Sequence, residues 1–443
     1  MPPRRQYNGL NPATCKLIAL LEDSDERACH QAIQKAQTAL KELKTWLPKD
    51  RARVLLNWGT RIIQATNDLA AIITAESGKL LSEAKEEVKH AADFLSWFAG
   101  EAHVIDGATR IPGNWNAKVH TINQPIGIAG IITPWTYPAA IVTRKMGAAF
   151  AAGCPCILKP SPETPLTAMA LATLAYRAGI PRHAFQFSFA GSAIIGRTLA
   201  ARCMLTMKRV DFALGGNAPL IVFSDANIEK AVQGIMDNAF RLAGQSCACA
   251  NRIYVQADIH DAVVKSLVAR VRELKLGKGN DKGTILGPLI SSRAAEKVQK
   301  HVQDAVENGA TILVGGNIAK NLGTAFFEPT VLVNVDPYNS LCMMEETSGP
   351  VVPIVRFHVE KWVLAQANRP DVGLAGYIFT KNVARASRIS EALEVGMVGV
   401  NTGIIDDPHV PFGGVKGSGI GREGSSLGIY EYLEVKSVTT NVT

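Results

Sequence analysis

At 443 residues the chain is too long for a single hydrophobic core, so two or three domains are expected. Hydrophobic residues make up 47% and charged residues 19%, a balance that excludes a disordered chain and fits a globular one. The net charge of +8 arises from 47 basic and 39 acidic residues scattered along the sequence. With no basic block and no aromatic-rich basic stretch, no nucleic-acid partner is expected, and the mild excess suits an anionic cofactor or substrate.

No apolar run approaches the roughly 20 residues that span a bilayer, so no membrane association is expected. The most apolar segment, 146–158, is interrupted by Gly147, Gly153 and Pro155. Arg4 and Arg5 have no hydrophobic run behind them, so no secretory signal is visible and a cytoplasmic location is expected. Eight cysteines are too sparse for a disulfide scaffold, and the two C-x-C pairs lack zinc-site spacing, so no metal is expected.

Residues 24–104 read as three amphipathic helices. Their apolar faces are Ala28, Ile33, Ala36, Leu40 and Leu43; then Val54, Leu55, Trp58, Ile62 and Ile63; then Val88, Ala91, Leu95 and Phe98. Residues 106–123 turn polar and strand-like. From Gln124 short apolar strands alternate with helices: a β-branched run 127–132 leads into Thr133-Pro134-Trp135-Thr136, and a strand 155–158 leads into Lys159-Pro160-Ser161-Pro162. Thr164 and Pro165 mark a helix start, with a capping hydroxyl and a proline at the first helical position; Gly179 ends that helix. This alternation predicts a doubly wound parallel sheet. A further strand near 185–189 runs into Gly191 and Ser192 at a helix start, where backbone N–H groups and the helix dipole favour an anion, a weak signal on its own.

After Leu214-Gly215-Gly216-Asn217 the alternation resumes as a second α/β unit, with strands near 220–223, 252–255, 311–314 and 329–334. A helix capped by Asp225, with Ala231, Ile235, Ala239 and Phe240 as its stripe, stops at Gly244 and delivers Gln245-Ser246-Cys247-Ala248-Cys249. A lone cysteine there would read as a small buried hydrophobe, whereas a thiol on a glycine-flanked turn is placed for chemistry. Residues 431–438 alternate as a strand that would pair with 106–123 and offer an edge to another subunit.

Taken together and in order, Thr133-Pro134-Trp135, Lys159-Pro160-Ser161, Leu214-Gly215-Gly216-Asn217-Ala218-Pro219, Gly244-Gln245-Ser246-Cys247-Ala248-Cys249, Glu345-Glu346-Thr347, Gly399-Val400-Asn401-Thr402-Gly403 and Pro411-Phe412-Gly413-Gly414 resemble the aldehyde dehydrogenase superfamily, nearest its succinate-semialdehyde branch. The resemblance implies an α/β fold with a Rossmann-type cofactor domain (1–105 and 124–222, with a return at 415–428), an α/β catalytic domain (223–414) and a small β oligomerisation arm (106–123 and 429–443). It implies a homodimer or homotetramer. It also implies oxidation of an aldehyde by NADP or NAD, in which the thiolate of Cys247 attacks the aldehyde, hydride leaves to the cofactor and water hydrolyses a thioester. By the same resemblance Trp135, Lys159, Gly191, Ser192 and Glu346 bind the cofactor, and Arg144, Arg241 and the position of Asp407 receive a substrate carboxylate. Oxidation to a disulfide with Cys249 would block the nucleophile.

Several positions depart from the family pattern. Ala213 stands where a glutamate activates the hydrolytic water, Thr136 where an asparagine stabilises the oxyanion, and Ser348 where a phenylalanine contacts the cofactor. Pro162 replaces a glutamate that contacts the ribose 2′-hydroxyl, which leaves NADP admissible. A βα segment of about 20 residues is missing between Phe187 and Ser188. Two other readings follow from these departures: an impaired or inactive protein of this fold, and acyl-transfer or esterase chemistry at Cys247. A carboxylate at Asp407 suggests a less acidic or amino-bearing aldehyde, unless it merely pairs with Arg144 or Arg241.

Overall fold

The computed structural model describes residues 6–113, 116–187 and 194–441, without the side chains of 185–187 and 194–197. Four helices precede the first parallel strand, not three: Glu26–Leu43, Pro48–Gln64, Thr66–Ser77 and Leu81–Glu101. Thr66–Ser77 escapes a periodicity reading because it is covered on several sides, burying Leu69, Ala70, Ile73, Thr74, Glu76 and Ser77. A helix without a wet face has little amphipathic contrast. Trp58 is fully buried against the following α/β unit, and its indole N–H donates to the Leu171 carbonyl at 3.1 Å.

Three sheets organise the rest. Strands Ala129–Ile132, Cys156–Lys159 and Phe185–Phe187 form a parallel sheet in that order. Residues 188–193, including Gly191 and Ser192, lie outside the described residues. A seven-stranded sheet runs Thr311–Val314, Thr330–Val333, Val351–Phe357, Ala250–Gln256, Ala218–Val222, Ala375–Phe379, Met397–Val400, parallel except for its first pair. The strands at 351–357, 375–379 and 397–400 are additional to those read from sequence. In the third sheet Leu433–Asn441 pairs antiparallel along all of Ala117–Pro125, beside the short strand Thr109–Arg110. Among the described residues no helix is long and apolar enough to cross a membrane.

Two capping expectations are corrected. Asn227, not Asp225, caps the Ile228–Ala239 helix, its side chain accepting from Lys230 N at 3.1 Å. Asp225 instead binds Thr380, Lys381, Asn382 and Arg385. At the Pro165–Ala178 helix the Thr164 hydroxyl makes no cap and is buried without a partner among the described residues. The carboxylate of Glu76 takes the free N–H groups there, accepting from Leu166 N at 2.5 Å and Thr167 N at 2.9 Å.

Candidate active site

A cleft of about 1320 Å³ collects residues from distant parts of the chain. Trp135, Thr136 and Arg144 line one side of it and Arg241, Cys247, Glu346 and Ser348 another, with Ala213 two residues from Gly215, over which Glu346 lies. Sequence spacing alone separates Arg144 from Cys247 by about a quarter of the chain, and the fold brings them to one opening.

The Cys247 wall is built on an unusual turn. After the Ile228–Ala239 helix, Leu242 (φ 52°), Ala243 (φ 52°) and Gly244 (φ 71°) are all left-handed. Such a conformation costs a non-glycine residue about 1–3 kcal/mol, so something must hold it. Leu242 N donates to the Glu83 carboxylate at 2.9 Å, and the Gln245 amide donates to the Leu242 carbonyl at 3.1 Å while accepting from Ile290 N at 2.9 Å. Gly244 is obligatory: a Cβ there would run into the Gly349 carbonyl. Tyr377 donates its hydroxyl to the Ala248 carbonyl at 2.8 Å, and Cys249 turns inward, its thiol donating to the Asn238 carbonyl at 2.9 Å. Cys247 is half-buried and Cys249 fully so. Burial pushes the Cys247 thiol up to about 12; the charge of Glu346 adds to the rise and Arg144 opposes it. Burial likewise raises Cys249 to about 12.

The opposite wall hangs on a buried ion pair between Lys79 and Glu87. Lys79 also donates to the Thr136 carbonyl at 3.1 Å and lies 4.3 Å over the Tyr137 ring, while Glu87 accepts from Ala139 N at 2.8 Å. The pair therefore fixes the Trp135–Thr136 turn and caps the helix Ala140–Ala152, from which Arg144 projects.

The two arginines differ sharply. Arg144 Nη2 contacts both Asp406 oxygens at 2.7 Å, and Nη1 contacts Glu423 at 3.4 Å; the guanidinium is flanked by Phe94 at 4.6 Å and Phe412 at 4.4 Å. Asp406 is held well below the usual carboxylate range, with Arg144 and His90 (3.5 Å) outweighing its burial. Arg241 forms no hydrogen bond or ion pair among the described residues and faces Tyr137, Glu83, Glu86 and Asp406, which raise its pKa. The Asp407 expectation is corrected here: Asp407 lies outside the cleft, exposed, contacting His409 at 2.6 Å. The preceding residue, Asp406, is the one that faces Arg144.

Lys159 does not itself line the cleft, as Ser161, Pro162 and Glu163 next to it do; it is buried, and among the described residues its ammonium makes no hydrogen bond or ion pair. Burial lowers its pKa. A desolvated cation without a partner among the described residues calls for an anionic or oxygen-rich ligand, so the donor set fits a nucleotide cofactor. Pro162 does remove a carboxylate, yet Glu163 next to it lines the cleft, bonds the Ser161 hydroxyl and partly offsets the fall in the Lys159 pKa. Glu346 is half-buried over Gly215, where a Cβ would collide with its carboxylate, and burial pushes it up to about 7. Among the described residues no cluster of three His, Cys, Asp or Glu could hold a metal.

The bracing and pairing roles of Glu83, Gln245, Lys79, Glu87 and Asp406 are not legible in the sequence. The first four act through contacts across 45 to 159 positions, or beside residues that read as ordinary helix surface. A glutamate interrupting a helical stripe was the one available signal.

A thiol on a strained turn in a large cleft that arginine side chains also line fits a cysteine-dependent enzyme acting on an anionic ligand. The chain belongs to the aldehyde dehydrogenase family, whose profile matches residues 2–187 and 186–438. It is 46% identical to the NADP-dependent succinate-semialdehyde dehydrogenase 1 of Schizosaccharomyces pombe, over 97% of this chain and 90% of that protein. It is 44% identical to glutarate-semialdehyde dehydrogenase of Pseudomonas putida, over 98% of this chain and 94% of that one. The fold superposes on the crystal structure of succinate-semialdehyde dehydrogenase from Burkholderia pseudomallei with a TM-score of 0.96 and 40% identity, covering 99% of this chain and 95% of that chain.

Proposed function

We propose that the protein oxidises a semialdehyde to the corresponding carboxylic acid with NADP or NAD, using Cys247 as nucleophile. The observation that carries this reading is Cys247 on its braced turn in the cleft, between the arginine pole and Glu346. The Cys247 sulfur bonds to the aldehyde carbon, and the carbonyl oxygen becomes the oxyanion of a thiohemiacetal. When bound, the nicotinamide accepts the hydride that converts this adduct to a thioester. Hydrolysis then breaks the C–S bond and returns the thiol. Trp135, Lys159 and Glu346 would hold the cofactor, with Gly191 and Ser192 at the pyrophosphate.

Arg241, which makes no hydrogen bond or ion pair among the described residues, is the group that would receive the substrate's own carboxylate, with Arg144 lining the same cleft. Thr136 presents the hydroxyl that would take part of an oxyanion donor's role, whose loss otherwise costs ~10²–10³ in rate. The long exposed edge strand Leu433–Asn441 would pair with another copy, giving a homodimer or homotetramer. Purified protein supplied with succinate and glutarate semialdehydes should generate reduced cofactor, and Cys247→Ala should not. Folded protein that produces none with either aldehyde would overturn the reading.

A further inference from the structure

Resting on that reading, the Glu346 carboxylate meets the cofactor only if the chain around it is held in place. Its own neighbours do not supply the hold. Glu345 is exposed, and Ser348 is left-handed at φ 54°, a conformation that a non-glycine residue keeps only where its surroundings impose it. The support comes from one face of the helix Ser292–Glu307, on which Lys297, His301 and Asp304 stand at i, i+4 and i+7.

Each of the three grips a different point of the segment. Asp304 accepts from Leu341 N at 2.6 Å, at the start of the short helix Leu341–Met344 that runs into Glu345. Lys297, itself exposed, donates to the Glu346 carbonyl at 2.5 Å. Between them His301 Nδ1 shares a hydrogen bond with the Thr347 hydroxyl at 3.2 Å, and its Nε2 lies 3.6 Å from the exposed Glu345 carboxylate. His301 and Thr347 are both buried, so theirs is the contact that water does not weaken. Beyond Ser348 the segment is wedged: a Cβ at Gly349 would stand 2.4 Å from Val298 on the same helix, and one at Gly244 would stand 2.1 Å from the Gly349 oxygen. Residues 345–349 therefore form a strap between this helix and the Cys247 turn.

We infer that His301 is the positioning residue for Glu346: through the Thr347 hydroxyl it anchors the strap and so sets the Glu346 carboxylate over Gly215 for the cofactor. His301 touches neither the cofactor nor the reacting atoms, and acts through the residue that follows Glu346 in the chain. Removing the imidazole leaves the Thr347 hydroxyl buried without its partner, a cost the strap relieves by shifting. The shift is felt at the carboxylate one residue away, while the Asp304 and Lys297 contacts hold the segment to the helix by its backbone.

The test is isothermal titration of the whole protein with NADP and with NAD, in the absence of aldehyde. Glu346→Ala should weaken binding. His301→Leu should raise Kd roughly tenfold, and so should Thr347→Val, which removes the other half of the contact in a nearly isosteric way. His301→Gln, whose amide can still reach the Thr347 hydroxyl, should bring Kd back to within a few-fold of wild type. In the Glu346→Ala background His301→Leu should add nothing, because the residue it acts through is gone. His301→Leu and Thr347→Val binding both cofactors like wild type would overturn the inference, as would His301→Leu weakening Glu346→Ala by a further tenfold. Glu346→Ala binding both cofactors like wild type would instead overturn the cofactor role of Glu346 beneath it.

Discussion

The two walls of the cleft are held by different means. On the Cys247 wall, a left-handed turn is braced by Glu83 and Gln245 through neutral backbone groups, and among the described residues the side chains of Cys247, Arg241 and Glu346 make no hydrogen bond or ion pair. On the facing wall, charge is spent on charge: Lys79 with Glu87, Arg144 with Asp406 and Glu423, Lys145 with Glu423 and Asp211. The first wall is built to react and the second to stay in place. Buried pairs of that kind contribute little when whole but leave an uncompensated charge when halved.

The sharpest way to break this contrast is at its reactive pole. Cys247→Ala should abolish aldehyde oxidation while leaving thermal unfolding close to wild type, as measured by cofactor reduction and calorimetry. On the structural wall Lys79→Met should do the reverse, costing about 3–5 kcal/mol of unfolding free energy by stranding Glu87, measured by denaturant titration. A smaller effect tests whether Arg144 is held out of play. Asp406→Ser should lower KM for succinate semialdehyde by roughly tenfold, since a freed charge-assisted contact is worth about 1.5–3 kcal/mol, and should leave KM for a neutral aldehyde unchanged. Equal changes for both aldehydes would mean that Asp406 shapes the site without reading charge. Smallest of all, Glu163→Gln removes a negative charge near Lys159 and should improve KM for NADP relative to NAD a few-fold, read from paired cofactor titrations.

The reactive wall was also the more legible one. Cys247, Gly244 and Arg241 lie within a single short stretch, and the helix stripe Ala231, Ile235, Ala239 and Phe240 is buried as its spacing implies. The parallel strands at 129–132 and 156–159 likewise follow from runs of apolar residues bounded by glycine and proline. The structural wall was obscure because its determinants are pairwise and distant. Lys79 meets Thr136 across 57 positions and Arg144 meets Asp406 across 262. The resemblance puts the substrate position at Asp407, whereas the aspartate that contacts Arg144 is Asp406, a difference set by how the loop folds and not by spacing. Asp225 has the look of a cap because its partners, Thr380 and Arg385, lie more than 150 positions away. Glu163 carries no signal in the sequence because the position counted from Lys159 is Pro162, one place short.

The most direct test of the account is mass spectrometry of the enzyme during turnover of succinate semialdehyde with NADP. The account predicts one acyl group, carried as a thioester on Cys247 and absent from every other residue. Reduced cofactor formed at an undiminished rate by Cys247→Ala, or an acyl group on any other residue, would contradict it.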